Sequence, residues 1–159
     1  LQPAAPIVRR AADDDAAAIA ELVNGFADEG LTLRRTRDEV LADVANYVVA
    51  VAPDGAVVAC AALTEYSPSL GEVSSVAVHT AAQGQGLGSL VVAAVERLAR
   101  LRDLDEVFAM SLADRFFTSL GYDRDDLARF PEKVARYDAM RAAGRTVVAK
   151  GCYRKRLTD

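Results

Sequence analysis

The sequence predicts a mixed α/β domain of the α+β kind, and three observations carry that expectation. Periodicity gives the element order β, α, α, β, β, β, α, β, α, β, too irregular for a doubly wound parallel sheet. A strand-like run from Glu72 to His79 leads into a glycine-rich loop, Gln83-Gly84-Gln85-Gly86-Leu87-Gly88. Beyond the loop Leu87, Leu90, Val91, Ala94, Val95, Leu98 and Leu101 recur at helical spacing. Two apolar runs, Tyr47 to Ala52 and Ala56 to Leu63, flank Pro53-Asp54-Gly55, whose proline and glycine suit a tight reversal.

In chain order, Ile7 to Arg10 reads as a first strand. Asp13 to Asp15 are placed to cap a helix whose apolar face is Ile19, Leu22, Val23 and Phe26. After a loop through Gly30, Thr36 and Glu39 form a capping-box pattern ahead of Val40, Leu41, Val44 and Tyr47, so a second helix follows and ends near Tyr47. The hairpin comes next. The Ser67-Pro68-Ser69 turn then opens the strand before the glycine loop and the third helix. Glu106 to Met110 reads as a strand, Asp114 to Leu120 as a short helix stopped by Gly121, and Thr146 to Tyr153 as the closing strand.

With 159 residues the chain is expected to form one domain over 1–159. Its net charge of -4 argues against a nucleic-acid partner. Cys60 and Cys152 form no C-x-x-C and have no neighbouring histidine, so two reduced thiols and no metal site are expected. The amino terminus lacks a signal-peptide pattern and no apolar run approaches membrane-spanning length. A soluble, cytoplasmic protein without a membrane partner is the expectation.

The glycine loop carries the chemistry. Glycines remove side chains and permit unusual backbone angles, so successive N–H groups can close on phosphate oxygens at the positive end of the following helix. A P-loop would require Gly-Lys-Ser/Thr, and here Gly88 is followed by Ser89 and Leu90. A dinucleotide fingerprint would require a glycine where Ser89 stands, and a loop springing directly from the strand. The pattern instead resembles the acetyl-CoA signature of the GNAT acetyltransferase superfamily, Gln/Arg-x-x-Gly-x-Gly/Ala, matched by Gln83, Gly86 and Gly88. That resemblance implies a GNAT fold, a mixed central sheet of about six or seven strands flanked by about four helices. It also implies acetyl-CoA as co-substrate, held by Gln83, Gly84, Gln85, Gly86, Leu87, Gly88 and Ser89 and by the strand residues Val76, Ala77 and Val78, with no metal required.

Other stretches are similar, in order and spacing, to the acetyltransferase domain of the bacterial N-acetylglutamate synthase family, the first enzyme of arginine biosynthesis. They are Gly30 to Arg37, Ala59 to Leu63, Gly71-Glu72 leading to Val76-Ala77-Val78-His79, and the Phe116-Phe117 and Leu120-Gly121-Tyr122 pair. Phe130-Pro131-Glu132-Lys133, then Tyr137 and Arg141, complete the likeness. It implies acetyl transfer to the α-amine of L-glutamate by direct attack in a ternary complex. Three departures stand out. An amino-acid-kinase-like domain ahead of the acetyltransferase part is not expected, nor is arginine feedback through one. Ala142, Ala143 and Gly144 follow Arg141 where the family has a serine, and Ser75 stands where it often has cysteine.

Attack on the thioester needs a neutral amine, whereas an amino-acid ammonium titrates above ~8, so a base must remove its proton. Glu72 is the candidate base, acting directly or through a water. Main-chain amides near Ser75 or Val76 are candidates for meeting the carbonyl oxygen. Resemblance points to Ser111 as donor to the departing thiolate. For the carboxylates of glutamate, the resemblance implies Arg34 with Arg35 as neighbour, and Lys133 with Arg141; Leu33 and Ser75 complete the substrate-binding set, and arginine forks suit carboxylates. Tyr122 is expected to pack in the core, and His79 to be structural or solvent-facing. Pairing of two copies and a partner from the arginine pathway are further expectations. The rival readings are a GNAT enzyme for another amino acid or small amine, and a non-catalytic acetyl-CoA-binding sensor.

Overall fold

The computed structural model describes residues 5–158; the extreme amino-terminal residues, part of the segment lacking a signal-peptide pattern, lie outside the described residues. The chain runs β1 (Ile7–Arg10), α1 (Ala16–Asn24), α2 (Arg37–Ala42), β2 (Tyr47–Val51), β3 (Val57–Glu65) and β4 (Leu70–Val78). Then come α3 (Leu87–Leu101), β5 (Glu106–Ser111), α4 (Asp114–Ser119), β6 (Asp123–Asp125), α5 (Pro131–Ala142) and β7 (Gly151–Arg156). Local signals explain several boundaries. Thr36 Oγ1 accepts from the Glu39 amide at 3.1 Å while Glu39 Oε1 accepts from the Thr36 amide at 3.2 Å, so the capping box starts α2 as its sequence predicts. Gly55, at φ +89°, lets the chain reverse between β2 and β3.

The strands form one seven-stranded sheet in the order β1-β2-β3-β4-β5-β7-β6. Only β4 and β5 run parallel; the other neighbours are antiparallel. Alternation sends Val48, Ala50, Ala59, Ala61, Leu63, Val107 and Ala109 to the face covered by α3. Tyr47, Val49, Cys60 and Ala62 point the other way, against Ile19, Leu22, Val23 and Val40 of α1 and α2. Further along that second face Phe108 stacks on Phe130 at 4.4 Å between centroids, which seats the start of α5. Tyr122 is buried as expected, its hydroxyl donating to Glu96 Oε2 at 2.8 Å.

Two elements go beyond the order that periodicity gives, and one starts elsewhere. The buried stripe of α5 is Lys133, Tyr137 and Met140, and a lysine in it hides the amphipathic pattern. β6 is three polar residues long. The closing strand starts at Gly151 rather than Thr146, because its Arg154 and Lys155 find carboxylates: Glu106 at 3.1 Å and Glu96 at 2.9 Å. No helix among the described residues is long and apolar enough to cross a membrane.

Candidate active site

β4 is where the sheet opens. It pairs with β5 only through Leu70–Glu106, Gly71–Val107 and Glu72–Phe108, although both strands continue. Beyond Glu72 the edge of β4 facing β5 therefore has no strand partner among the described residues, and its main-chain groups are open to bonding a ligand. On the other edge the register with β3 slips between Cys60 and Ala62, and Ser75 takes φ +52°. This is a bulge carrying one extra residue on β4. It resets the alternation, so that Val73, Val76 and Val78 all pack toward α3 while Ala77 faces α1.

The glycine loop follows. Gly84 and Gly86 have φ +81° and +79°, and a Cβ at either would meet no atom within 4 Å, so their amides border open space. Gly86 caps the fifteen-residue α3 without a side-chain hydrogen bond to its first amides. The first turn of that helix thus presents unpaired N–H groups. Gly88 is glycine for a different reason, since a Cβ there would approach Phe116 to 3.2 Å. Gln83 Nε2 donates to the Val78 carbonyl at 3.2 Å and ties the loop to the end of β4.

One cleft of about 600 Å³ joins these parts. Its walls include Val76, Ala77, Val78, Gln83, Gly84, Gly86, Leu87, Gly88 and Ser89 at one end, and Leu33, Arg35, Glu72, Ser75, Ser111 and Lys133 elsewhere. Gln85 is exposed and does not line it. Arg34 and Arg141 do not line it either. Arg34 is exposed and bonds Asp28 at 2.6 Å, and Arg141 is exposed beside Asp138 at 3.6 Å. The choice between Arg34 and Arg35 is made by Asn24, whose side chain accepts from the Arg35 amide at 2.8 Å and donates to the Arg35 carbonyl at 2.6 Å. This grip turns Arg35 inward. Its Nε is buried with no hydrogen-bond partner among the described residues.

Glu72, 5% exposed, meets Lys133, 2% exposed, at 2.9 Å. Tyr66 donates to the same oxygen, Oε1, at 2.9 Å. Oε2 accepts no hydrogen bond from the described residues, which leaves one carboxylate oxygen available to a reacting group. Burial pulls the Lys133 ammonium below the usual lysine value, opposed by the adjacent carboxylate. The Tyr66 and Tyr137 hydroxyls are pushed up by burial, so both stay protonated. The Ser111 hydroxyl accepts from the Ala113 amide at 2.9 Å, which orients the oxygen and leaves its proton free. His79 Nδ1 accepts from the Ala81 amide at 3.2 Å, a turn-capping contact. Burial raises the Cys60 thiol to about 12 and the Cys152 thiol to about 11, so neither is a ready nucleophile.

Three further polar residues join the site without a sequence signal. Tyr66 reaches Glu72 across the turn before β4, Arg136 lies one helical turn after Lys133 and donates to the Tyr66 hydroxyl at 3.4 Å, and Lys150 sits in the coil before β7. The cleft is consequently lined by Arg35, Lys133, Arg136 and Lys150 against the single carboxylate of Glu72.

This geometry agrees with what the chain is similar to. An uncharacterised N-acetyltransferase of Chlorobaculum tepidum is 33% identical over 129 residues, 81% of this chain and 83% of that protein. An amino-acid acetyltransferase of Mycobacterium tuberculosis is 35% identical over 119 residues, 74% of this chain and 68% of that one. The N-acetylglutamate synthase of Neisseria gonorrhoeae, solved with coenzyme A and N-acetyl-glutamate, superposes with a TM-score of 0.83 at 26% identity over 99% of this chain. The chain spans only 36% of that synthase's length. The model of the Acetyltransferase (GNAT) family matches residues 15–122, and the protein belongs to that family.

Proposed function

We propose that the protein transfers the acetyl group of acetyl-CoA to the α-amine of an acidic amino acid, with L-glutamate the favoured acceptor. One observation carries the reading: a single cleft runs from the glycine loop, along the unpaired edge of β4, to a buried carboxylate surrounded by cations. The open space at Gly84 and Gly86 fits a pyrophosphate, whose charge favours the amino end of α3. The free edge of β4 suits the amides of a pantetheine arm, and main-chain N–H groups around the Ser75 bulge are placed to meet a carbonyl oxygen. The bound thioester supplies the activated acetyl group.

At the acceptor end, Lys133 and Tyr66 hold Glu72 Oε1, so Oε2 faces the cleft as the proton acceptor for the amine. Ser111, at the end of β5, is the candidate donor to the departing thiolate. The excess of cations favours an anionic acceptor and disfavours a polyamine, because each extra positive charge would meet like charge in a site of reduced dielectric. Arg35, rather than Arg34 or Arg141, is the arginine positioned for a carboxylate. The test is mass analysis of the products when the purified protein receives acetyl-CoA with an equimolar mixture of amino acids and polyamines. N-acetylglutamate as the main product supports the reading; acetylation of the polyamines, or of none of them, overturns it.

A further inference from the structure

We propose that Lys150 recognises the carboxylate at the far end of the acceptor, and so selects dicarboxylic over neutral amino acids. This rests on the reading of the cleft as an amino-acid N-acetyltransferase site. A second cavity of about 420 Å³ adjoins the cleft, and Thr32, Leu33, Tyr137 and Lys150 line both, so Lys150 stands at their junction. It is half-buried, yet no carboxylate pairs with it among the described residues. Its one polar contact is the Leu31 carbonyl at 3.5 Å, the outer limit of a hydrogen bond. Burial, and then the neighbouring Lys133, pull its ammonium below the usual value, so the site as it stands disfavours this charge and an incoming anion would relieve it.

Its partners narrow what that anion is. Lys133 is already matched by Glu72, and Arg136 leans on Tyr66. Arg35, Arg136 and Lys150 are the cations of the cleft with no acidic partner among the described residues; Arg136 is engaged by the Tyr66 hydroxyl, which leaves Arg35 and Lys150 for the two carboxylates of a dicarboxylic acceptor. An amine placed at Glu72 Oε2 carries its α-carboxylate on the adjacent carbon. The other carboxylate therefore extends away from Glu72, and the junction with the second cavity lies in that outer region. No main-chain hydrogen bond ties residues 146–150 to the rest of the described chain, and Val148 is seated on Gly30, where a Cβ would come within 2.6 Å of its Cγ2.

The test compares Lys150→Met and Lys150→Arg with the unaltered protein. Lys150→Met should raise the KM for glutamate about tenfold or more, with little change for glutamine or acetyl-CoA, and Lys150→Arg should restore most of the loss. An equal rise for glutamate and glutamine, or no rise for either, overturns the assignment. Titration with glutarate, a dicarboxylate without an amine, separates this from the catalytic reading. If the unaltered protein acetylates no glutamate, that reading fails, and the titration still decides the role of Lys150. Glutarate affinity lost in Lys150→Met and regained in Lys150→Arg supports it. Affinity equal in Lys150→Met, or no binding to the unaltered protein, refutes it.

Discussion

Replacing Lys133 by methionine removes a buried charge while keeping a side chain of similar length. The ammonium lies 2.9 Å from Glu72 Oε1, and the two side chains are 3% and 6% exposed, so a methionine of similar length would occupy most of the room a replacing water needs. Oε1 would be left with the Tyr66 hydroxyl alone. Breaking one side of such a pair costs about 3–5 kcal/mol, a large part of the ~5–15 kcal/mol that stabilises a domain. With a urea dependence of ~2 kcal/mol per M, the unfolding midpoint should fall by about 1.5–2.5 M at neutral pH. Substituting Glu72 by methionine as well removes the stranded charge and should return stability to within about 1 kcal/mol of the original. A loss under ~1 kcal/mol for Lys133→Met alone, or a double variant whose loss equals the sum of the singles, would refute the idea that this pair is electrostatically isolated.

Gly86→Val forces a β-branched residue to φ +79° at the start of α3 and puts methyl groups where phosphate oxygens would lie; coenzyme A affinity by calorimetry should fall at least about tenfold, and unchanged affinity would remove the loop from the site. Glu72→Gln keeps the shape but not the base, so kcat should drop about a hundredfold with coenzyme A affinity preserved; activity within about twofold would move the base elsewhere. Asp15→Asn tests a device remote from the site. Hydrogen bonds from Arg9 at 2.7 and 3.1 Å, and from the Ala12 amide, hold the Asp15 carboxyl below its ordinary 3.8. A lowered carboxyl contributes stability that is present above the unfolded value and lost as pH falls through the folded one. The variant should therefore be about 1 kcal/mol less stable at neutral pH, with the gap closing below pH 3.8. A gap that persists in acid would assign the loss to packing instead.

The parts of the molecule whose causes are local were legible in the sequence. The α2 capping box, the Pro53-Asp54-Gly55 reversal and the strand, glycine loop and helix around Gly86 each depend on residues close together in the chain. What could not be read depends on partners brought together by folding. α5 hides because Lys133 occupies its core stripe, tolerable only because Glu72 waits on β4. Residues 146–150, apolar enough to suggest a strand, stay in coil because β5 pairs with the charged segment from Gly151, whose basic residues find carboxylates on β5 and α3. Arg34 and Arg35 are equivalent as neighbours in sequence, and only the two-way grip of Asn24 decides which one faces the cleft. Lys150 carries no motif at all, since its place follows from where the coil crosses the loop after α1.

The most direct measurement is kcat/KM for glutamate against spermidine, read as coenzyme A release from acetyl-CoA by the purified protein. A cleft with Arg35, Lys133, Arg136 and Lys150 around one carboxylate should favour glutamate by about a hundredfold or more. Equal turnover, or a preference for spermidine, would contradict the assignment of this cleft to an anionic amino acid. Coenzyme A binding with no turnover of either amine would contradict the assignment of Glu72 as a working base.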